Sequence, residues 1–472
     1  MTEKQISKLI SKPVMKILEK YSLSFLKLNP EQKMEQMLRK KISRMSETRI
    51  GKELGISRDM KQSDIPPTNY NQYKEYYDRP TPGDFLFPLK EYVNVTTSGT
   101  MSKPKKYLFP RIALTDNMRK TLLAKLLLYS HDGERITLEI GDNIYANLPG
   151  GSQISNHYYN IGGKQSSLLV KSCPDPNLPF DSKVNFFIKH HEEIDIAYMT
   201  IPTLFDEIIP KLGKISLKGF VAQDTAASIF KDRIKNVTGS YPKVSYGSTE
   251  ALACSVPSIE RPGAFIIDWR IIFPEFIPLK SEEDMQVTTP EIINITEVEP
   301  GKLYSFVASP YLTEIHRYLM PDIFECIAMG DSILETELPV FKYYSRGDKL
   351  IVLQNFTRIA EEELIHVMAN TGFQYVDFTA RKEREGYKDY LKIYVELLEP
   401  KPVEEIHRKI NEVLQDYDKD WRDLIDFLKY DPLKVQLLPR GSFKRFLSRK
   451  EGMYRIDRIE MREQRLNLLL SN

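Results

Sequence analysis

Three stretches of this 472-residue sequence combine residue types that can do phosphate and metal chemistry. The first is Thr96-Thr97-Ser98-Gly99-Thr100-Met101-Ser102-Lys103-Pro104-Lys105, which follows the β-branched run Tyr92–Val95. Glycine lets a backbone bend so that successive N–H groups turn inward, and such a nest binds phosphate oxygens. The hydroxyls of Thr97, Ser98 and Thr100 add donors, and Lys103 or Lys105 adds charge that stabilises a leaving pyrophosphate. A polar turn between strands would use the same residues. The segment lacks the Gly-x-x-x-x-Gly-Lys-Ser/Thr spacing of the nucleoside-triphosphatase P-loop.

The second stretch is Val244-Ser245-Tyr246-Gly247-Ser248-Thr249-Glu250. Tyr246, at the end of a strand, offers a face on which adenine can stack. Gly247 permits a tight turn, and Thr249 and Glu250 then face phosphates, where a carboxylate can hold Mg²⁺. An ordinary strand-turn-helix, with Glu250 near a helix start, is the competing reading. The third stretch, Val340-Phe341-Lys342-Tyr343-Tyr344-Ser345-Arg346-Gly347-Asp348, sets the carboxylate of Asp348 at a strand tip, suited to two ribose hydroxyls. A Gly-Asp hairpin turn is its plain alternative.

The elements that must position these residues follow from periodicity. Residues 1–50 read as helix, with a second amphipathic stretch from Pro30 to about Met45. From Tyr92 strands and helices alternate: helix over Thr115–Tyr129, strand Asp195–Met199, helix Thr203–Lys211, strand Gly219–Ala222 and helix Thr225–Lys235. That alternation predicts a largely parallel α/β sheet. After Gly263 the runs Ala264–Phe273, Lys302–Ala308 and Val340–Tyr344 predict an antiparallel or barrel-like β subdomain. The fold class expected is therefore α/β, with a large N-terminal domain over residues 1–350 and a small α+β C-terminal domain over 351–472. In the latter, helices Glu361–Asn370, Val403–Leu414 and Lys419–Leu428 pack on strands Tyr375–Thr379, Tyr390–Leu398 and Leu433–Leu438.

Composition narrows the function classes. The formal net charge is +2, so no global imbalance points to nucleic acid or a membrane surface. No apolar run reaches the ~18 residues of a membrane helix. The start, Met1-Thr-Glu-Lys, lacks a signal-peptide core, and a cytoplasmic protein is expected. Cys173, Cys254 and Cys326 lie too far apart for a zinc site or a disulfide framework. His190-His191, followed by two glutamates, is expected to be a solvated loop, not a metal centre.

Taken in order, the hydroxyl-rich glycine loop, the Tyr-Gly-x-Thr-Glu run about 150 residues later and the Tyr-x-x-Gly-Asp run about 100 residues beyond it resemble the adenylate-forming superfamily of acyl-CoA synthetases and luciferases. Thr97–Lys105 is similar to that superfamily's Thr-Ser-Gly-Thr-Thr-Gly-x-Pro-Lys loop, with Met101 and Ser102 replacing its second Thr and Gly. One branch fits more of the chain. Glu47-Thr-Arg-Ile-Gly-Lys-Glu-Leu-Gly, Ile65-Pro-Pro-Thr-Asn-Tyr, Pro82-Gly-Asp, Phe273-Pro-Glu-Phe-Ile-Pro and Pro339–Asp348 resemble segments of the Gretchen Hagen family of auxin-responsive acyl-acid amido synthetases. The likeness spans about residues 45–350 and is thin beyond them. The Gly-Arg pair that usually follows the superfamily's aspartate is absent after Asp348. Leu438-Pro-Arg-Gly-Ser-Phe-Lys444 is similar to the lysine-bearing segment of CoA ligases but one residue shorter, and an exposed solubilising lysine is the competing reading of Lys444.

The resemblance implies ATP-dependent activation of a carboxylic acid to an acyl-adenylate. Thr97, Ser98, Gly99 and Thr100 then hold the β- and γ-phosphates, Tyr246 stacks adenine beside the turn at Gly247, and Thr249 binds the α-phosphate. Glu250 holds Mg²⁺, Asp348 binds ribose, and Lys105 and Lys444 are the catalytic candidates. The implied acceptor is an amine such as an amino acid, giving an amide; CoA, giving a thioester, is the alternative. The small domain is expected to turn about a hinge near residues 349–357 between half-reactions. A non-catalytic nucleotide- or RNA-binding protein on the same scaffold is the reading from another class.

Overall fold

The computed structural model describes residues 3–96, 105–147, 157–158, 170–175, 178–222, 225–279, 291–347, 350–354, 357–448 and 456–471. Two compact units emerge: one comprises Met1–Thr97 and Lys106–Gly347, and the other Ser98–Lys105 and Asp348–Asn472.

In the first unit, helices Glu3–Leu23 and Glu31–Met45 precede an antiparallel pair, β1 (Tyr92–Thr96) and β2 (Lys106–Pro110). The α/β part is a five-stranded parallel sheet made of β3 (Asp142–Ala146), β4 (Val170–Cys173), β5 (Ile196–Met199), β6 (Gly219–Ala222) and β7 (Pro242–Lys243), in the order β4-β3-β5-β6-β7. Every residue of β6 is buried, as expected for a parallel strand covered on both faces. Gly219 opens β6 where no side chain fits: a Cβ there would lie 2.1 Å from the carbonyl oxygen of Tyr129, at the end of helix Leu123–Tyr129. The sheet and its interleaved helices match the alternation read from the sequence.

The strand-rich part is a seven-stranded antiparallel sheet. Its members are β8 (Ser255–Pro257), β9 (Phe265–Ile267), β10 (Ile272–Leu279), β11 (Ile293–Asn294), β12 (Leu303–Pro310), β13 (Tyr318–Asp331) and β14 (Thr336–Arg346), in the order β11-β10-β12-β13-β14-β9-β8. Its core is aromatic: Phe276 stacks on Phe341 at 5.0 Å between ring centroids, and Phe265 meets Phe324 edge-on at 5.2 Å.

Local differences from the sequence reading have physical causes. The run Ala264–Phe273 is not one strand but two, β9 and β10, because Asp268 turns the chain between them. Its carboxylate accepts the Arg270 N–H at 3.1 Å and its carbonyl accepts the Ile271 N–H at 3.2 Å. The helix expected from Thr115 begins at Arg111, directly after Pro110, and widens to a π turn over Met118–Leu122. Thr225–Lys235 divides into a 3-10 turn, Thr225–Ser228, and a helix, Lys231–Thr238.

In the second unit β15 (Ile351–Leu353) pairs with β16 (Thr357–Ile359). β17 (Tyr375–Glu385) and β18 (Lys388–Leu397) form a long hairpin, and β19 (Leu433–Leu437) adds to β18 in parallel. Helices Glu361–Ala369, Val403–Tyr417 and Lys419–Leu428 supply the core residues Leu364, Ile406, Ile410, Trp421 and Leu424 against Phe378 and Ile393 of the sheet. Among the described residues no helix is long and apolar enough to cross a membrane.

Candidate functional site

β7 runs straight into Val244–Glu250, and the loop that follows is held by its own backbone. The N–H of Tyr246 donates to Oγ of Ser255 at 2.6 Å, and that hydroxyl donates to the Tyr246 carbonyl at 2.9 Å. The N–H of Ser248 donates to the Leu252 carbonyl at 3.1 Å, and the N–H of Ala251 to Oγ of Ser248 at 3.0 Å. This folds the chain so tightly that a Cβ on Gly247 would sit 3.1 Å from the Leu252 carbonyl, which explains the glycine between Tyr246 and Ser248. Ser245, one residue earlier, shares a hydrogen bond of 3.0 Å with the hydroxyl of Tyr129.

Glu250 is half-buried at the far side of this loop. Its Oε1 accepts a 2.8 Å hydrogen bond from the hydroxyl of Tyr107, in β2, and that hydroxyl lies 3.3 Å from the hydroxyl of Tyr318, at the start of β13. Burial, and then the charge of Glu250, push the pKa of both tyrosines far above the ordinary value, so both stay protonated and able to donate. Tyr70 packs its ring against Tyr107 at 5.3 Å and exchanges hydrogen bonds of 3.1 Å with the backbone of Lys106.

Tyr246 is only 9 % exposed, and its ring is enclosed by Phe265, Phe306 and Phe324. Its hydroxyl donates to Oδ2 of Asp322 at 2.7 Å, while Oδ1 of the same carboxylate accepts Nη1 of Arg346 at 3.1 Å. Burial, followed by the nearby Asp322 charge, raises the Tyr246 hydroxyl well above its ordinary pKa. Asp322 therefore ties the Tyr246–Glu250 segment to the last residue of β14. The N–H of Gly347 donates to the Pro321 carbonyl at 2.8 Å, which pins the same strand end a second time.

The structure thus brings Tyr246, Gly247, Thr249 and Glu250 into one loop of the first unit, with Gly247 exposed and Thr249 half-buried. Lys105 is half-buried immediately before β2. Thr97, Ser98, Gly99, Thr100 and Asp348 lie outside the described residues. Lys444 is an exposed residue of helix Ser442–Ser448 in the second unit. That helix starts on Glu396, whose carboxylate accepts the N–H groups of Gly441 at 2.6 Å and Phe443 at 2.9 Å.

Sequence reasoning passed over Tyr107, Tyr318 and Asp322. A signal for Asp322 was present: an acid in the otherwise apolar strand run Tyr318-Leu-Met-Pro-Asp-Ile-Phe needs a buried partner. No pattern marks Tyr107, because its partner is 143 residues away.

Of the residues that would hold a hard cation, Glu250 is the one the sequence points to. With Oε1 held by Tyr107, its Oε2 has no protein donor among the described residues, which fits a cation held mainly by phosphates and water plus one carboxylate. Among the described residues no cluster of three or more His, Cys, Asp or Glu can hold a metal, and His190 instead lies 3.5 Å from Glu193.

Residues 265–346, the antiparallel sheet from β9 to β14, match the GH3 family central domain. No curated protein matches the chain as a sequence. Among solved structures, AtGH3.15 acyl acid amido synthetase in complex with 2,4-DB is 16 % identical, covers 95 % of each chain and has a TM-score of 0.55. A second structure of GH3.15 acyl acid amido synthetase is 17 % identical, again over 95 % of each chain, with a TM-score of 0.53. 2-Hydroxyisobutyryl-CoA ligase in complex with 2-HIB-AMP and CoA is 14 % identical over 88 % of each chain, with a TM-score of 0.60. The chain shares the fold of these three structures.

Proposed function

We propose that this protein is a cytoplasmic, AMP-forming ligase that activates a carboxylic acid with ATP and passes the acyl group to an amine, such as an amino acid, to form an amide. The observation that carries the reading is the Tyr246–Glu250 loop. It presents a carboxylate with one oxygen fixed by Tyr107 and the other open, on a chain with the ligase fold.

A carboxylate is a poor acyl donor because its leaving group would be oxide. Its oxygen attacks the α-phosphorus of ATP, the bond to the bridging oxygen breaks, and pyrophosphate leaves with the electron pair. The acyl-adenylate then loses AMP to an attacking amine, which gives up a proton. In this reading Thr97–Thr100 bind the β- and γ-phosphates, Lys105 offsets their charge, Thr249 meets the α-phosphate and Asp348 binds ribose. Mg²⁺, when bound at Glu250, neutralises charge on the phosphates. Tyr107 keeps the carboxylate aimed, and Asp322 keeps Tyr246 and Arg346 in register. Lys444 is the candidate for contacting the reacting carboxylate from the smaller domain, residues 351–472. Alignment and charge stabilisation account for the rate.

Thioester formation with CoA is the second reading, supported by the TM-score of 0.60 to a CoA ligase. Acid-dependent ATP–pyrophosphate exchange over a broad acid panel tests the first half-reaction, and Glu250→Gln is expected to slow it by at least ~10²-fold. Absence of exchange with every acid refutes the enzyme reading. A product formed only with CoA refutes the amide.

A further inference from the structure

The amino-terminal edge of the parallel sheet, opposite the edge that leads into Tyr246–Glu250, carries a cavity of about 340 Å³. Its walls come from the residues just before the strands: Ile194 and Asp195 before β5, Leu217 and Lys218 before β6, Ser240 and Tyr241 before β7. Lys243, in β7, also lines it and is 4 % exposed. Among the described residues its ammonium has neither an ion pair nor a hydrogen-bond acceptor. The side chain is buried but its ammonium opens onto the cavity, where an anionic ligand would meet an unpaired cation in largely desolvated surroundings.

The neighbouring groups do not resolve that charge. Lys235 lines the same cavity and repels Lys243. Asp132 spends Oδ1 on the N–H groups of Glu134 and Arg135, at 2.8 and 2.9 Å. Asp195 accepts the N–H of Asn143 at 2.9 Å and pairs with Lys218 at 3.2 Å. Asp331, whose field reaches Lys243, already accepts five hydrogen bonds, from Ser258, Ile259, Glu260, Ile333 and Leu334. Glu192 is exposed at the rim. Burial holds the lysine's pKa down at about 8, so at neutral pH it is still mainly charged.

His131 adds a directed donor. Its Nδ1 accepts the N–H of Gly133 at 3.1 Å, so the neutral ring carries its proton on Nε2, which has no partner among the described residues. We infer that this cavity is a second ligand site that takes a small phosphate-class oxyanion on Lys243, Lys235 and His131, separate from the Tyr246–Glu250 loop. An oxyanion there supplies the protein-held ammonium and the imidazole N–H with the acceptor that neither has among the described residues. A volume of about 340 Å³ leaves room for a small organic group beyond the phosphate itself.

The probe is inorganic phosphate, titrated calorimetrically into the full chain against sodium chloride of equal ionic strength, with ATP saturating to occupy the nucleotide site. Binding is expected in the wild type. It is expected to weaken at least ~10-fold in Lys243→Met and in His131→Gln, and to be retained in Lys243→Arg. ATP–pyrophosphate exchange should stay within about twofold in all three, which separates this site from the nucleotide loop. A readout that does not need a variant is acylation of Lys243 at pH 8 followed by mass spectrometry, and phosphate should protect the residue. No phosphate binding to the wild type, unchanged binding in Lys243→Met, or unprotected Lys243 would each overturn the assignment.

Discussion

Tyr107→Phe removes one oxygen atom and isolates what the tyrosine does for Glu250. The ring stays packed, since its neighbours Tyr70, Tyr77 and Phe109, at 5.3, 5.5 and 5.8 Å, touch carbon and not the hydroxyl. What disappears, together with the longer, neutral 3.3 Å contact with the Tyr318 hydroxyl, is the 2.8 Å hydrogen bond to the Glu250 carboxylate. Such bonds contribute about 1.5–3 kcal/mol, and because Glu250 is half-buried water replaces part of it, leaving about 1–2 kcal/mol. If that energy holds the carboxylate in its working orientation, exchange falls roughly 5- to 30-fold at one tenfold step per ~1.4 kcal/mol. The assay is ATP–pyrophosphate exchange with a competent acid across a Mg²⁺ titration, beside a thermal melt. The expected signature is a lower maximum rate and a higher Mg²⁺ requirement with a nearly unchanged melt. The double variant Tyr107→Phe/Glu250→Gln should be no slower than Glu250→Gln alone, since nothing is left to orient. Exchange within twofold of wild type at every Mg²⁺ concentration, or full additivity in the double variant, would refute the positioning role.

Two further outcomes follow from buried polar groups. Tyr246→Phe keeps the ring among Phe265, Phe306 and Phe324 but removes the hydroxyl that donates to Asp322; a loss of about 1–3 kcal/mol in chemical unfolding is expected, and a variant as stable as wild type would remove the Tyr246–Asp322 bond from the account. Lys125 is buried, and desolvation lowers its pKa from 10.5 to about 8, which corresponds to about 3 kcal/mol. The unfolded chain holds that proton up to pH 10.5, whereas the folded chain releases it near pH 8. This contribution therefore makes stability rise with pH between those values and is fully unfavourable below them. Lys125→Met should stabilise the fold at pH 7 by up to that amount, with a smaller gain at pH 10; an equal gain at both values would defeat the argument.

Much of the architecture was legible because burial writes itself into short-range pattern. Strand runs such as Ile196–Met199 and Gly219–Ala222 are apolar throughout, and Val403–Leu414 keeps a strict helical period. The split at Asp268 was not legible, because an aspartate that caps a turn looks the same in sequence as one inside a strand. The site was legible to the extent that its residues are neighbours in the chain. Tyr246, Gly247, Thr249 and Glu250 could be read together, whereas Asp322 and Tyr107 take their roles from partners 76 and 143 residues away. Spacing carries no trace of such pairings, since strand register creates them.

Gly219 and Tyr129 give the loop an unexpected point of leverage. The Tyr129 carbonyl occupies the space a methyl group would need at position 219, while the hydroxyl of the same tyrosine reaches Ser245, next to Tyr246. Even alanine at 219 must lift the helix end away from β6, and the displacement is handed down the Tyr129 side chain to the loop. A residue with no functional group of its own thus sets a mechanical tolerance for the loop that holds Glu250, and in a saturation library this position should accept glycine alone.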